Sequence, residues 1–258
     1  MDAHEGLWVG DHQISRLQGG LDDSLVAAFR DEMLFCEEIS VHDAHGPGTG
    51  ASEHLIYRLE GPGRSIAERL GLLGISHEAA LDHVNELLDQ QRSPVFPLSR
   101  KVERTAHAQL ERAFLEGYSA ADWVRDLGKV QTDSQPHPSG LGGPAWLIEQ
   151  LRDAYPPLAL RATLLALPDA DVVMYVHESE GDPDPELFHL CSTALGTLHS
   201  TAAEHAPLVV LTEGSTDVAI LEPALKLLYP HLTDLVRFMD YGHRPKGGAG
   251  NLLLRLWA

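Results

Sequence analysis

Cysteine is nearly missing from this chain: Cys36 and Cys191 are the only two in 258 residues. That excludes a disulfide scaffold and points to a reducing compartment. No apolar run approaches the ~20 residues that a membrane helix needs. The first residues, Met1 to Gln13, are acidic and lack an apolar signal core, so the expectation is a soluble, cytoplasmic protein with no membrane partner. Basic residues are scarce. The formal net charge is -19, which works against unspecific binding of nucleic acid by the whole surface. The scarcity is also uneven: no Lys or Arg lies between Arg161 and Lys226, an interval that holds eleven acidic residues. An acidic wall of that kind repels phosphate unless a divalent cation bridges the two, and otherwise it is a solvated surface.

What is present is enough for a core. A hydrophobic fraction of 43% belongs to a globular chain, and the length suits one large domain or two small ones. Leu7–Val9 and His12–Ile14 flank Gly10-Asp11 and read as a hairpin. Asp22 or Ser24 is placed to cap a helix through Val26, Phe29, Met33 and Leu34. Short strands are predicted at Ile39–His42 and Leu55–Leu59, with a Gly-rich loop between them. Helical spacing follows at Ile66, Leu70 and Leu73. Ser76 is the expected cap of a helix carrying Leu81, Val84, Leu87 and Leu88. Further helices are predicted over Val102–Leu115, from Ser119 through Trp123 and Leu127, over Ala145–Tyr155, over Leu158–Leu167 and from Leu187 to about Glu204. Residues 132–144 read as a loop, and Val172–Val176 as a strand.

The most informative stretch is Pro207–Asp217. Leu208–Leu211 is a buried-strand pattern, Glu213-Gly214 breaks it, and Asp217 opens a helical run. Strand, acidic turn and helix make the first half of a βαβ unit, and Glu213 falls at the carboxyl end of the strand, where open parallel sheets bind ligands. Gly214 is read as allowing a tight turn there. Asp217 suits the positive end of the helix dipole. A second strand is predicted over Val236–Met239, ahead of a Gly-rich loop and a final helix from about Gly248.

Val210-Leu211-Thr212-Glu213-Gly214-Ser215-Thr216-Asp217 resembles the first motif of Toprim domains, found in bacterial primases, topoisomerases and overcoming-lysogenization-defect nucleases. Val236–Gly242 and Pro245–Leu252 resemble the next part of that domain. The closest resemblance is to bacterial HEPN/Toprim-associated proteins. Their N-terminal domain is resembled by the hairpin near Gly10, the run Phe29–Met33 and the run Arg69–Ser76. The resemblance implies an N-terminal domain over 1–204 and a partial Toprim-like domain over 205–258. The fold class is mixed α/β: a mostly helical N-terminal region with a small sheet near its start, then a parallel βαβ fragment. It further implies Mg²⁺ held by Glu213, Asp217 and Asp240, with Glu213 as general acid or base and Asp217 in support. Nucleic acid is then the substrate class, in bacterial nucleic-acid metabolism or phage defence. Toprim enzymes carry a later Asp-x-Asp motif, and no Asp or Glu follows Asp240 here. Mg²⁺ wants near-octahedral oxygen ligation, so the expectation is an incomplete site with little activity by itself.

Other constellations compete. Lys246, Gly247, Gly248 and Gly250 form a phosphate-cradle pattern, or else a plain connection where glycines fit. Arg100 and His107 match the spacing of the HEPN ribonuclease pair, with imidazole as base and guanidinium on the phosphate. With fifteen histidines in the chain such matches arise by chance, and a solvated helix face is the simpler reading. His42, Asp43 and His45 read as a surface loop. Cys191, Trp123, Trp146 and Trp257 read as core. A non-catalytic module is the alternative function, with the truncated fragment as scaffold and the helical part contacting a partner protein. The open edge of the parallel fragment is expected to pair with the N-terminal part, through Val172–Val176, or with a second molecule, as in a homo-oligomer.

Overall fold

The computed structural model describes residues 6–16, 20–41, 52–92, 113–130, 143–151, 154–180, 184–201 and 207–240. Strands β1 (Leu7–Val9) and β2 (His12–Ser15) form the expected hairpin, closed at Gly10, whose φ of 55° is the left-handed region that glycine tolerates. Asp22 caps α1 (Asp23–Val26) by accepting from the amides of Ser24 and Leu25. That helix is one turn long, and the predicted run to Leu34 does not form. The chain turns at Ala27–Phe29, makes a 3₁₀ turn over Asp31–Met33 and enters β3 (Leu34–Val41). Apolar spacing alone could not separate a long helix from a short helix, a turn and a strand.

β3 pairs antiparallel with β4 (Ser52–Pro62) along its whole length. The helical layer follows: α2 (Gly63–Leu72), α3 (His77–Arg92), α4 (Ala120–Val130), α5 (Pro144–Glu149) and α6 (Pro156–Ala166). Ser76 caps α3, its hydroxyl 3.0 Å from the Ala79 amide. Ser119 and Asp122 cap α4 reciprocally, with the carboxylate accepting from the Ser119 amide and hydroxyl. Those bonds, with Arg125 beside them, hold the Asp122 carboxyl down at about 2. β5 (Asp171–Glu180) then returns to the sheet, and α7 (Leu190–Thr201) follows a 3₁₀ turn over Pro185–His189.

The sheet runs β2-β1-β5-β4-β3, all antiparallel. It has five strands, more than the small N-terminal sheet expected from the sequence, and β5 enters between strands laid down more than a hundred residues earlier. A bulge at Tyr57/Arg58 breaks the in-out alternation of β4, so that Ile56, Tyr57 and Leu59 are all buried. Helices pack on the sheet through Ile66, Leu70, Val84, Leu88, Trp123, Leu127, Leu160 and Leu164, all in one core. Cys191 is also buried, and burial first of all pushes its thiol up to about 12, so it is an inert core thiol. Trp123 is fully buried and donates from Nε1 to the Leu147 carbonyl at 3.0 Å. Trp146 is half-buried in a ring cluster with Phe114 and Tyr118.

Gly63 sits where β4 meets α2. Its amide donates to the Ala170 carbonyl at 3.0 Å, and an added Cβ would lie 2.5 Å from that oxygen and 2.7 Å from Leu164 Cδ2. Backbone cannot yield as a side chain does. Gly63→Ala is therefore expected to cost about 1–3 kcal/mol, read as a lower urea midpoint at unchanged slope. A midpoint equal to the parent's would show that the junction relaxes freely.

The last described unit is a parallel βαβ. β6 (Leu208–Thr212), α8 (Ser215–Leu228) and β7 (Val236–Asp240) form it, with Leu208 in register with Val236 and Thr212 with Asp240. These strands make a sheet of their own. The expected pairing of Val172–Val176 with this fragment does not occur: that strand is β5, occupied on both sides by β1 and β4. The unit is tied to the rest through the 3₁₀ turn Pro230–Leu232 and the residues after it. Arg69 is 1% exposed and donates to the carbonyls of Ala27, Ala28 and His231 and, bidentately, to Asp234 at 2.6 and 2.9 Å. Arg30 donates to the Pro230 carbonyl, and His231 Nε2 lies 2.6 Å from Glu68. The boundary expected at 204/205 falls outside the described residues.

Candidate functional site

The carboxyl edge of the parallel sheet gathers the residues that the motif singled out. Thr212 ends β6 and is buried, its hydroxyl 3.3 Å from the Gly214 carbonyl and 3.2 Å from the Met239 carbonyl. One side chain thus fastens the turn to the neighbouring strand. Glu213 follows in the bend and is exposed. Asp217 stands exposed in the first turn of α8, with its amide donating to the Gly214 carbonyl at 3.1 Å. Asp240 closes β7 and is exposed. Three carboxylates therefore occupy one end of one sheet, as the topology of a parallel βαβ requires.

Gly214 does not play the part expected of it. Its φ of -163° is extended backbone, and an added Cβ would meet nothing within 4 Å. The turn is made without the conformational freedom of glycine; open space at this position is what the missing side chain leaves.

A resident Mg²⁺ requires converging oxygens. Among the described residues no group of three or more His, Cys, Asp or Glu could hold a metal ion. The described carboxylates at this edge do not form a closed octahedral set. The phosphate-cradle residues Lys246, Gly247, Gly248 and Gly250 lie outside the described residues, as do the pair Arg100 and His107, the cluster His42, Asp43 and His45, and Trp257. No described helix is long and apolar enough to cross a membrane.

Two features escaped the sequence reading. Thr212 looked like one more strand residue, and only pairing with β7 reveals its second contact. Arg69 had a signal: it lies three residues after Ile66 and four before Leu73, on the apolar face of α2. A charge on a buried face needs a partner, and Asp234 is that partner.

No family model matches the chain, and no curated protein and no solved structure matches it.

Proposed function

We propose that this chain is a HEPN/Toprim-type protein of bacterial nucleic-acid metabolism or phage defence, with an unfinished Toprim-like site. The observation that supports it is the placement of Glu213, Asp217 and Asp240 together at the carboxyl edge of a parallel βαβ. In this reading Glu213 and Asp217, with Asp240, attract Mg²⁺ loosely, because these carboxylates by themselves supply fewer oxygens than octahedral ligation needs. The chain by itself then cleaves phosphodiesters poorly. Incubation with Mg²⁺ or Mn²⁺ and single- and double-stranded DNA and RNA is expected to give no cleavage above background. Robust cleavage that disappears in Glu213→Gln would overturn the unfinished-site reading and establish a complete enzyme.

A second reading, a non-catalytic interaction module, is favoured by one observation. Ile220, Leu227 and Leu228 of α8 are 63%, 80% and 66% exposed, and together with Ala224 they share one helix face. Contiguous apolar exposure of this kind marks contact surfaces.

A further inference from the structure

A cleft of about 250 Å³ opens beside β7, lined by Glu222, Leu225 and Lys226 of α8 and by Val236, Arg237 and Phe238 of the strand, with Thr233 at its end. No residue of β6 lines it, so it lies along the edge of β7 that faces away from its only described partner. That edge presents backbone N–H and C=O groups with no described strand beside them. A free strand edge is a template for another strand. A sheet of two strands is also marginal without a third.

The charge of the cleft says what kind of strand fits. Between Arg161 and Arg244 the sequence holds just two basic residues, Lys226 and Arg237, and both line this cleft. Lys226 is paired with Glu222 at 2.8 Å. Arg237 is exposed and forms no ion pair with a described residue. The cleft is thus a basic spot on a chain of net charge -19. Leu225, Val236 and Phe238 supply an apolar floor beside the cations. Nucleic acid is the poorer fit, since two cations, one of them already paired, give little phosphate affinity against so acidic a surface.

We propose that the outer edge of β7 binds an extended acidic peptide segment of a partner protein. The peptide adds as a third strand, sets its apolar side chains on Leu225, Val236 and Phe238, and brings a carboxylate to Arg237. Backbone pairing supplies affinity, and the alternate side chains supply selectivity. The inference rests on the β7 edge and not on the carboxylates at Glu213 and Asp217, so it stands whichever way the cleavage assay falls.

Fluorescence anisotropy with the full chain tests it, using labelled peptides of about eight residues, long enough for one strand. One alternates Val and Glu, one alternates Val and Lys, and one is the Glu peptide with prolines that remove backbone donors. The Glu peptide is expected to bind. Arg237→Glu, an exposed substitution whose folding is checked by the far-ultraviolet spectrum, is expected to weaken it by about tenfold or more. The proline peptide is expected to bind weakly and the Lys peptide not at all. Absence of binding by all three, equal binding of the Lys peptide, or indifference to Arg237→Glu would overturn the proposal. Displacement of the Glu peptide by a single-stranded oligonucleotide would overturn it in favour of nucleic acid. A dimer in light scattering that Arg237→Glu dissociates would overturn it in favour of a second copy.

Discussion

Arg69→Met is expected to destabilise the protein by about 3 kcal/mol, because it removes one partner of a buried ion pair and strands the other. The guanidinium is 1% exposed and the Asp234 side chain about a third exposed, at 35%, so part of the stranded charge is recovered by water. That keeps the expectation at the low end for such pairs. The carbonyls of Ala27, Ala28 and His231 also lose their donor. For a chain of this size the loss corresponds to a fall in Tm of roughly 6–12 °C. The effect is also local. Arg69 belongs to α2, while His231 and Asp234 belong to the connection into β7, so hydrogen exchange is expected to quicken in β6, α8 and β7 before it does in β4 and β5. Arg69→Lys restores charge but not the planar fork and is expected to recover only part of the stability. A Tm within 2 °C of the parent, or exchange that quickens equally everywhere, would show that other contacts hold the βαβ unit in place.

Removing Trp123 is expected to have a larger effect on the core. The ring is fully buried in α4, within the core that the helices and the sheet share. Trp123→Ala leaves a large void and the Leu147 carbonyl without its donor, for a cost of about 3–5 kcal/mol. Trp123→Phe keeps most of the volume and loses the hydrogen bond of 3.0 Å, so its cost is expected near 1–2 kcal/mol. Urea titration of both variants separates the two contributions. An alanine variant no weaker than the phenylalanine one would mean that the site collapses around the loss. Unlike Arg69→Met, both substitutions are expected to speed exchange in the antiparallel sheet and in its helical layer together.

The local features of the chain were legible because their causes are local. The hairpin at Gly10, the caps at Asp22, Ser76 and Ser119, and the burial of Trp123 and Cys191 each follow from a short spacing or a single side chain. The βαβ at 208–240 was legible for the same reason: an apolar run, a turn and a helical period succeed one another within about thirty residues, the span of such a unit. The helix expected from Asp22 to Leu34 failed where apolar residues at helical spacing also suited a turn and a strand. Glu213, Asp217 and Asp240 share an edge because parallel strands bring their carboxyl ends together, but convergence on a metal is a matter of side-chain placement that spacing does not encode.

By itself the sequence determined most of the element types, the helix caps, the absence of a disulfide framework and the strand-turn-helix around Glu213. Only the tertiary structure decided that β5 enters the middle of an antiparallel sheet, that Arg69 reaches Asp234 across 165 positions, and that Lys226 and Arg237 meet in one cleft. Periodicity reports which face of an element is buried, whereas the partner on that face is chosen by packing between segments far apart in the chain.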